Sequence, residues 1–578
     1  MKDRVELVSF ALLSALVLST PFEHRNTIDF FGLVDLSTVN VLLVTSWCLW
    51  GLRWAYYWTK GDRPNRLMML GIIATGAPLI TGFISITLVK NASVHEYIFF
   101  AEFILAYSVG WVTFDITRQR MYFDLLIKVI ALVALCITVF ACFDFLNIEP
   151  IESWLKTYHT IDNFAGIQRV SATLMHPNVM SIMLELTLPF VLVWMLSTEN
   201  HRLRLVLGLI LLGGIVAIVL SLSRGGTIAF MGAMLVYTLF ALWKRRIAVV
   251  ALNTALISAL LLTVLVQMMS IPALQVRLSE DGSNDNWYRA RYDFPENLSA
   301  LPGESLTIEA RITNVGLIIW EIEGNQPVNL GYHIICPDEN MPRDFSPEQM
   351  FDLNYLLYGG MRTPLPEIVP VGEQTQLTVQ FEAPTQPGMY WIAWDMIQEG
   401  VTWFSRKNTV PMITTLNVVG YVAEDTVQTH CTERLLNPET PQDPSRLDIW
   451  TTTLQIIRDN PLIGVGPLNF RSYYRDYSTL NVRTQHPHNM LLSLIVDFGL
   501  PTTFIMVGVF LFIMRALFKI SVKPLETRDW LVWGAFVTAL CAFAIHSIFD
   551  SFYSHTPTLI IMSVIIGMTV RFVDDRQS

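Results

Sequence analysis

Charge is what this sequence has least of. Only 15% of its 578 residues are Asp, Glu, Lys or Arg, against about a quarter in a typical soluble domain. Hydrophobic residues make up 52% and the mean hydropathy is +0.44. An ordinary soluble enzyme is thereby excluded. If some ~180 residues formed a soluble domain of normal composition, the rest would carry roughly 11% charge, as membrane segments do. An excess of positive charge is also missing: 39 Lys and Arg face 49 Asp and Glu, a net charge of −10 with a pI near 5.6. This argues against nucleic acid as a partner, since nothing supplies a general basic field. Cysteine is sparse, and Cys48, Cys136, Cys142, Cys336, Cys431 and Cys541 show no CxxC or metal-ligand spacing. No zinc site or disulfide framework is indicated. Cys336 and Cys431 alone lie in a polar region, where an oxidising compartment would allow them to pair.

What is abundant is apolar runs. A hydrocarbon core of about 30 Å needs roughly 20 apolar residues in a helix, and about twelve such stretches occur, near 5–22, 38–58, 67–89, 95–115, 122–145, 178–197, 203–222, 225–243, 247–269, 489–517, 529–549 and 556–573. The first has no small-residue cleavage site and reads as a span, not a cleaved signal. Lys60, Arg63 and Arg66, Arg118 and Arg120, Arg202 and Arg204, Lys244 to Arg246, and Lys519, Lys523 and Arg528 occupy alternate loops. Those loops are expected to be cytoplasmic, with both termini inside a plasma membrane crossed many times and residues 270–488 extracytoplasmic.

Within that segment the pattern changes period. Leu306 to Ile312 and Leu377 to Phe381 alternate apolar and polar, Gly388 to Trp394 is rich in strand formers, and Pro302-Gly303, Val371-Gly372 and Pro387-Gly388 mark turns. The expectation is a β-sandwich over about 280–420, with an Ig-like cue in Asn314-Val315-Gly316 followed by Trp320. Trp320, Trp391, Trp394 and Trp403 suit either its core or a sugar-stacking platform, and core packing is the simpler use. The expected domains are a nine-helix N-terminal bundle (1–269), the sandwich, an amphipathic helix and loop (446–488), and three C-terminal spans (489–578).

Polar residues gather at the expected outer membrane boundary, where charge is costly and usually has a purpose. Arg169 to Asn178 precede the sixth span. Ser221-Leu222-Ser223-Arg224-Gly225-Gly226 joins the seventh and eighth, and puts Arg224 where the positive-inside rule gives no reason for a cation. Its guanidinium suits a phosphate or pyrophosphate, or it snorkels as a helix-end arginine. Arg446 opens a stretch in which Trp450, Leu454 and Ile457 recur at helical spacing. Gly464-Val465-Gly466 after it is too short for a dinucleotide fingerprint and reads as a turn. Gln485-His486-Pro487-His488-Asn489 opens the tenth span. A histidine pair beside an asparagine there can supply a base near neutral pH. His-x-His is also a metal-ligand pattern, yet the sequence names no clear third ligand, although His176, His546, Asp550 and His555 share that side. Glu185 and Asp497 lie inside spans and read as packed against polar neighbours.

Taken in order, Arg169 to Asn178, Ser221 to Gly226, Arg446 to Trp450, Asn460 to Phe470 and His486 to Gly499 resemble the O-antigen ligase and polymerase family of bacterial membrane glycosyltransferases. The resemblance implies a GT-C-like helical fold that moves a glycan from a polyprenyl-pyrophosphate donor to an acceptor hydroxyl, with no metal or other cofactor. It implies that Arg224 and Arg446 hold pyrophosphate and that His488 is the base. Arg169, Asn178, Ser223, His486 and Asn489 are the accompanying substrate-binding candidates. The partners are then the lipid bilayer, the lipid-linked donor and a glycan, lipid or protein acceptor. The β-rich insertion departs from the family's usual shorter loop. A transporter or flippase for lipid-linked sugar is the competing reading, but would spread ionisable groups through the bundle to its inner side. A surface receptor using the sandwich would not need twelve spans.

Overall fold

The computed structural model describes residues 2–22, 27–30, 34–59, 66–88, 94–158, 163–164, 167–270, 285–323, 326–337, 356–399, 401–407, 409–419, 446–477, 484, 486–553 and 555–577. Two compact units emerge: one of residues 1–162, 169–264 and 443–578, the other of 163–168 and 265–442.

The first unit is helical. Its elements are α1 (Lys2–Ser19), α2 (Thr38–Thr59), α3 (Arg66–Leu88), α4 (Val94–Ile116), α5 (Arg120–Leu146), α6 (Ile151–Leu155), α7 (Pro177–Ser197), α8 (His201–Leu220), α9 (Arg224–Trp243) and α10 (Ile247–Ser270), then α11 (Arg446–Asp459), α12 (Phe470–Tyr477), α13 (Met490–Val522), α14 (Thr527–His546) and α15 (Thr556–Gln577). All twelve expected spans fall on helices. Ten are long and apolar enough to cross a membrane among the described residues, namely α1, α4, α5, α7 to α10 and α13 to α15. The protein is therefore a polytopic membrane protein. Of the two others, α2 carries Arg53, and α3 is apolar beyond its first residue, Arg66. Arg53 is nonetheless buried, because Asp115 at 2.9 Å and Glu6 at 3.6 Å neutralise it.

α7 and α15 form the centre. The first packs on α5, α8 and α14, the second on α4. By contrast, α10 is mostly exposed, as a lipid-facing helix would be. One end of the bundle is tied by cations: Arg246 donates to the Leu525 carbonyl, Lys244 to that of Val522, Arg576 pairs with Asp529 at 2.6 Å and Arg528 with Asp124. The opposite ends of the same helices carry the polar motifs singled out above.

The sequence Phe498-Gly499-Leu500-Pro501 breaks α13. Gly499 is at φ +77, ψ 169, and Pro501 has no N–H to give. The turn at Gly464 and Gly466 repairs the break: Val465 N–H donates to Val496 O at 2.7 Å, Gly466 N–H to Asp497 O at 3.2 Å, and Leu500 N–H to Pro461 O at 2.8 Å. Carbonyls freed by the kink thus regain partners inside the bundle, as an apolar environment demands.

The second unit contains the expected sandwich. One sheet has the strand order β10 (Gln374–Glu382), β7 (Ser305–Asn314), β5 (Ala290–Asp293); the other runs β6 (Asn297–Ala300), β13 (Met412–Val418), β11 (Gly388–Gln398), β8 (Val328–Ile335), β9 (Leu356–Pro364), with β12 (Thr402–Trp403) beside β11. Pairing is antiparallel except between β13 and β6. In β7 and β10 burial alternates residue by residue, which is the period read from the sequence. The sheets close on Tyr332, Phe381 and Trp394, whose rings lie 5.3–5.8 Å apart. Trp320, Trp391 and Trp394 are buried, and Trp403 lies between His333 at 4.7 Å and Arg362 at 4.5 Å. Trp320, Trp391 and Trp394 are core, and Trp403 is half-buried at its edge. Cys336 is disulfide-bonded; Cys431 lies outside the described residues. Short hairpins pair β1 (Thr27–Phe30) with β2 (Val34–Ser37), and β3 (Asn163–Phe164) with β4 (Ile167–Gln168).

Candidate active site

The segment leading into α7 is fixed by backbone donors. Asp144, buried near the end of α5, accepts Ser171 N–H at 2.7 Å and Ala172 N–H at 2.9 Å, which holds Ala172 in the left-handed region at φ +54. Arg169 is thereby set against the C-terminus of α8, where its Nε donates to Ser221 O at 2.8 Å, a placement the helix dipole favours. Its Nη2 donates to Asn178 Oδ1 at 2.8 Å. His176 caps α7 by accepting Asn178 N–H through Nδ1 at 3.1 Å, and Pro177 fills the first helical position.

Asn178 passes the connection on. Its Nδ2 donates to Asp550 Oδ2 at 2.8 Å. The other carboxylate oxygen, Oδ1, accepts Ser551 N–H at 2.8 Å and lies 3.4 Å from His486 Nε2 and 3.3 Å from His488 Nδ1. Burial works to raise the Asp550 carboxyl, but hydrogen bonds from both histidines and their charge hold it well below the usual carboxylate range. Burial and the neighbouring His486 push the His555 imidazole down to about 4. His488 sits at φ +53, an unusual conformation for a residue with a Cβ. It is held on both sides: Trp450 Nε1 donates to Pro487 O at 2.9 Å, and Asn489 caps α13 through Leu492 N–H while its Nδ2 reaches Ile548 O at 3.0 Å.

Ser223 caps α9 by accepting Gly226 N–H at 3.2 Å. Arg224 is then the first helical residue, exposed, with no hydrogen-bond or ion-pair partner among the described residues. The same turn lies against the 546–550 segment that bears Asp550: a Cβ on Gly225 would meet Phe549 Cβ at 3.0 Å and His546 Cδ2 at 3.2 Å. Arg446, exposed and likewise without a partner among the described residues, is one turn of α11 before Trp450, hence about 6 Å along the axis from the residue that binds Pro487. A cavity of about 520 Å³ opens beside the histidines. Its rim includes Asn489, Ser547 and Ile548, and Tyr107, Leu494, Phe510 and Met562 line it between α4, α13, α14 and α15.

His488, His486, Asn178 and Arg169 therefore belong to one hydrogen-bonded chain centred on Asp550; the Arg224 turn packs against the Asp550 turn, and Arg446 lies one helical turn from Trp450, which binds Pro487. Ser223 and Asn489 spend their side chains on helix caps. Asp550 is the group that sequence reasoning left among possible metal ligands; its place just past the end of an apolar run was the available signal. Asp144 had no signal beyond an acid at a span end. Glu185 has the polar neighbour expected of it, His546, at 2.9 Å. The buried Asp497 offers the Gly466 N–H its backbone carbonyl at 3.2 Å.

The third metal ligand missing from the sequence is present in space. One atom each of His486, His488 and Asp550 lie within 4.8 Å of one another, and two imidazoles with a carboxylate is a donor set that zinc or iron accepts. The same atoms equally satisfy one another as a hydrogen-bonded acid–base unit.

Residues 402–507 match the family whose model is described as O-Antigen ligase. That match takes in Arg446, the Gly464 turn and the His486–Asn489 segment, and supports assignment to the O-antigen ligase and polymerase family. Arg169 to Asn178, Ser223-Arg224 and Asp550 lie outside it. No curated protein matches the chain significantly.

Proposed function

We propose that this membrane protein transfers or polymerises a glycan from a polyprenyl-pyrophosphate donor onto an acceptor hydroxyl at the outer face of the plasma membrane, without a metal. The observation that carries the reading is the His488–Asp550 contact at 3.3 Å, with Arg224 and Arg446 unpartnered among the described residues. Asp550 accepts from Nδ1–H of His488, which leaves Nε2 as the acceptor for a hydroxyl proton. The deprotonating oxygen attacks the anomeric carbon, the bond from that carbon to the pyrophosphate oxygen breaks, and the electron pair leaves with the lipid pyrophosphate. Arg224 and Arg446 stabilise the charge that develops there. The apolar cavity beside Asn489 suits the prenyl chain. Arg169, Asn178 and His486 keep Asp550 and His488 in register.

The orientation rests on the cation-rich end of the bundle, which holds Lys244, Arg246 and Arg528 and reads as cytoplasmic; the pairing of Glu6 with Arg53 and of Arg576 with Asp529 supports both chain ends lying on that side.

The test is transfer from a synthetic polyprenyl-pyrophosphate oligosaccharide in proteoliposomes containing a chelator. Acceptors are a second lipid-linked glycan, a glycolipid or a hydroxyl-bearing peptide, and product is read as released polyprenyl pyrophosphate. Wild type should turn over, and folded His488→Ala and Arg224→Ala should not. Activity abolished by chelator and restored by zinc would replace the acid–base reading with a metal site. Donor crossing the bilayer without release would make the protein a transporter.

A further inference from the structure

A second polar chain lies behind the arginine turn and is used by nothing above. Glu185 on α7 is fully buried and His546, the last residue of α14, is 1% exposed. His546 Nδ1 lies 2.9 Å from Glu185 Oε1 and 3.2 Å from Oε2, and Ser181 Oγ donates to Oε1 at 2.8 Å. On the other side of the ring, Nε2 is 3.4 Å from Ser223 Oγ. The partners fix the proton order. A carboxylate accepts only, so Nδ1 carries the hydrogen, Nε2 accepts the Ser223 hydroxyl, and the Ser223 oxygen remains free to accept Gly226 N–H.

The order serine–histidine–glutamate is that of a hydrolase triad, but Ser223 is buried and its oxygen caps a helix. Its chemistry is spent on geometry. Packing says the same: a Cβ on Gly226 would fall 2.0 Å from Ser181 Oγ and 2.8 Å from Glu185 Oε1, so the Arg224 turn is seated directly on this cluster. Meanwhile the His546 carbonyl accepts Phe549 N–H at 2.9 Å and Asp550 N–H at 3.1 Å, which starts the turn that presents Asp550. One histidine thus touches both the turn of Arg224 and the turn of the histidine-binding carboxylate.

We propose that Glu185 and His546 are positioning residues: their buried pair locks the Ser223–Gly226 turn, and with it Arg224, in register with the Asp550 turn, so that pyrophosphate binding depends on residues that never touch it. This rests on the reading of Arg224 as a pyrophosphate ligand.

Replacing both members of a buried hydrogen-bonded pair by apolar residues of similar volume can be nearly neutral or stabilising, which separates positioning from mere packing. The measurement is the affinity of labelled polyprenyl pyrophosphate for full-length protein in nanodiscs, with thermal unfolding as the check on folding. Folded Glu185→Leu/His546→Phe should bind about tenfold more weakly, the loss of one charge-assisted contact. Adding Arg224→Ala to it should weaken binding no further than Arg224→Ala alone, because the pair acts through that side chain. Wild-type affinity in the folded paired variant overturns the inference, as does full additivity with Arg224→Ala. If Arg224→Ala itself binds normally, the pyrophosphate reading fails instead. Ser181→Ala, which removes one hydroxyl, carries the test should the paired variant not fold: binding weakened about threefold supports the lock, and unchanged binding overturns it.

Discussion

His488 Nδ1 lies 3.3 Å from Asp550 Oδ1, a contact between the loop before α13 and the turn after α14. A carboxylate on Nδ1 selects the tautomer whose Nε2 can take a proton. The same oxygen faces His486, and the same carboxylate is held from α7 by Asn178, 372 residues away in sequence.

Asp550→Asn is expected to fold and to lose glycan release by about 10²-fold or more, with His488→Ala at least as impaired. Donor affinity should change far less, since both arginines remain. Because Asp550 is held well below the ordinary carboxylate range, its contribution is present throughout neutral pH and is lost only as pH falls through that low value. Release kinetics for the two variants between pH 5 and 8 check this; an Asn variant of wild-type rate removes Asp550 from the mechanism.

Val507 lines the apolar cavity. Val507→Trp should fill it and raise KM for a long polyprenyl donor by about tenfold, while a donor with a farnesyl-length chain is affected little. Equal effects on both donors would mean that the prenyl chain lies elsewhere.

Gly464 and Gly499 sit at φ +69 and +77, and an added Cβ would come within 2.3 Å of Val496 O and 2.1 Å of Leu462 O respectively. Alanine at either should cost about 3 kcal/mol or more, because the loop can no longer repair the kink of α13. Gly508, in the same helix with nothing within 4 Å of a Cβ, is the control: Gly508→Ala should be neutral or slightly stabilising. Detergent melting curves separate the three.

Two buried groups of the sandwich titrate in opposite senses. Burial pushes the Asp395 carboxyl up to about 7, despite Ser405 and Tyr292. The native chain then holds a proton that the unfolded chain gives up near about 3.9, so stability falls as pH rises from about 4 to about 7. Burial, with Arg362 and Arg406, pushes His333 down to about 3, so stability falls as pH drops from about 6.5 toward 3. The slopes cancel between. Asp395→Asn should unmask the histidine and lose about 2–3 kcal/mol between pH 6.5 and 4.5, where wild type stays nearly flat. Unfolding of the full-length protein followed by tryptophan fluorescence shows which profile holds.

The helices, the β-rich insertion and the His486-x-His488 segment were legible because each is a local matter: apolar length, alternation of period two, and polar residues at a span end. Arg224 stood out as a cation where the positive-inside rule gives no reason for one, and Arg446 through its match to the family's arginine ahead of an amphipathic helix. What only tertiary structure decided is pairing across the chain. Nothing in the sequence ties Asn178 to Asp550 or Glu185 to His546, since an acid at a span end has many candidate partners until helix packing brings one within hydrogen-bond reach. The Gly464 turn shows the limit most plainly. As sequence it is a bare turn; its role exists only because α13 breaks at Gly499 and leaves carbonyls inside an apolar bundle that something must satisfy.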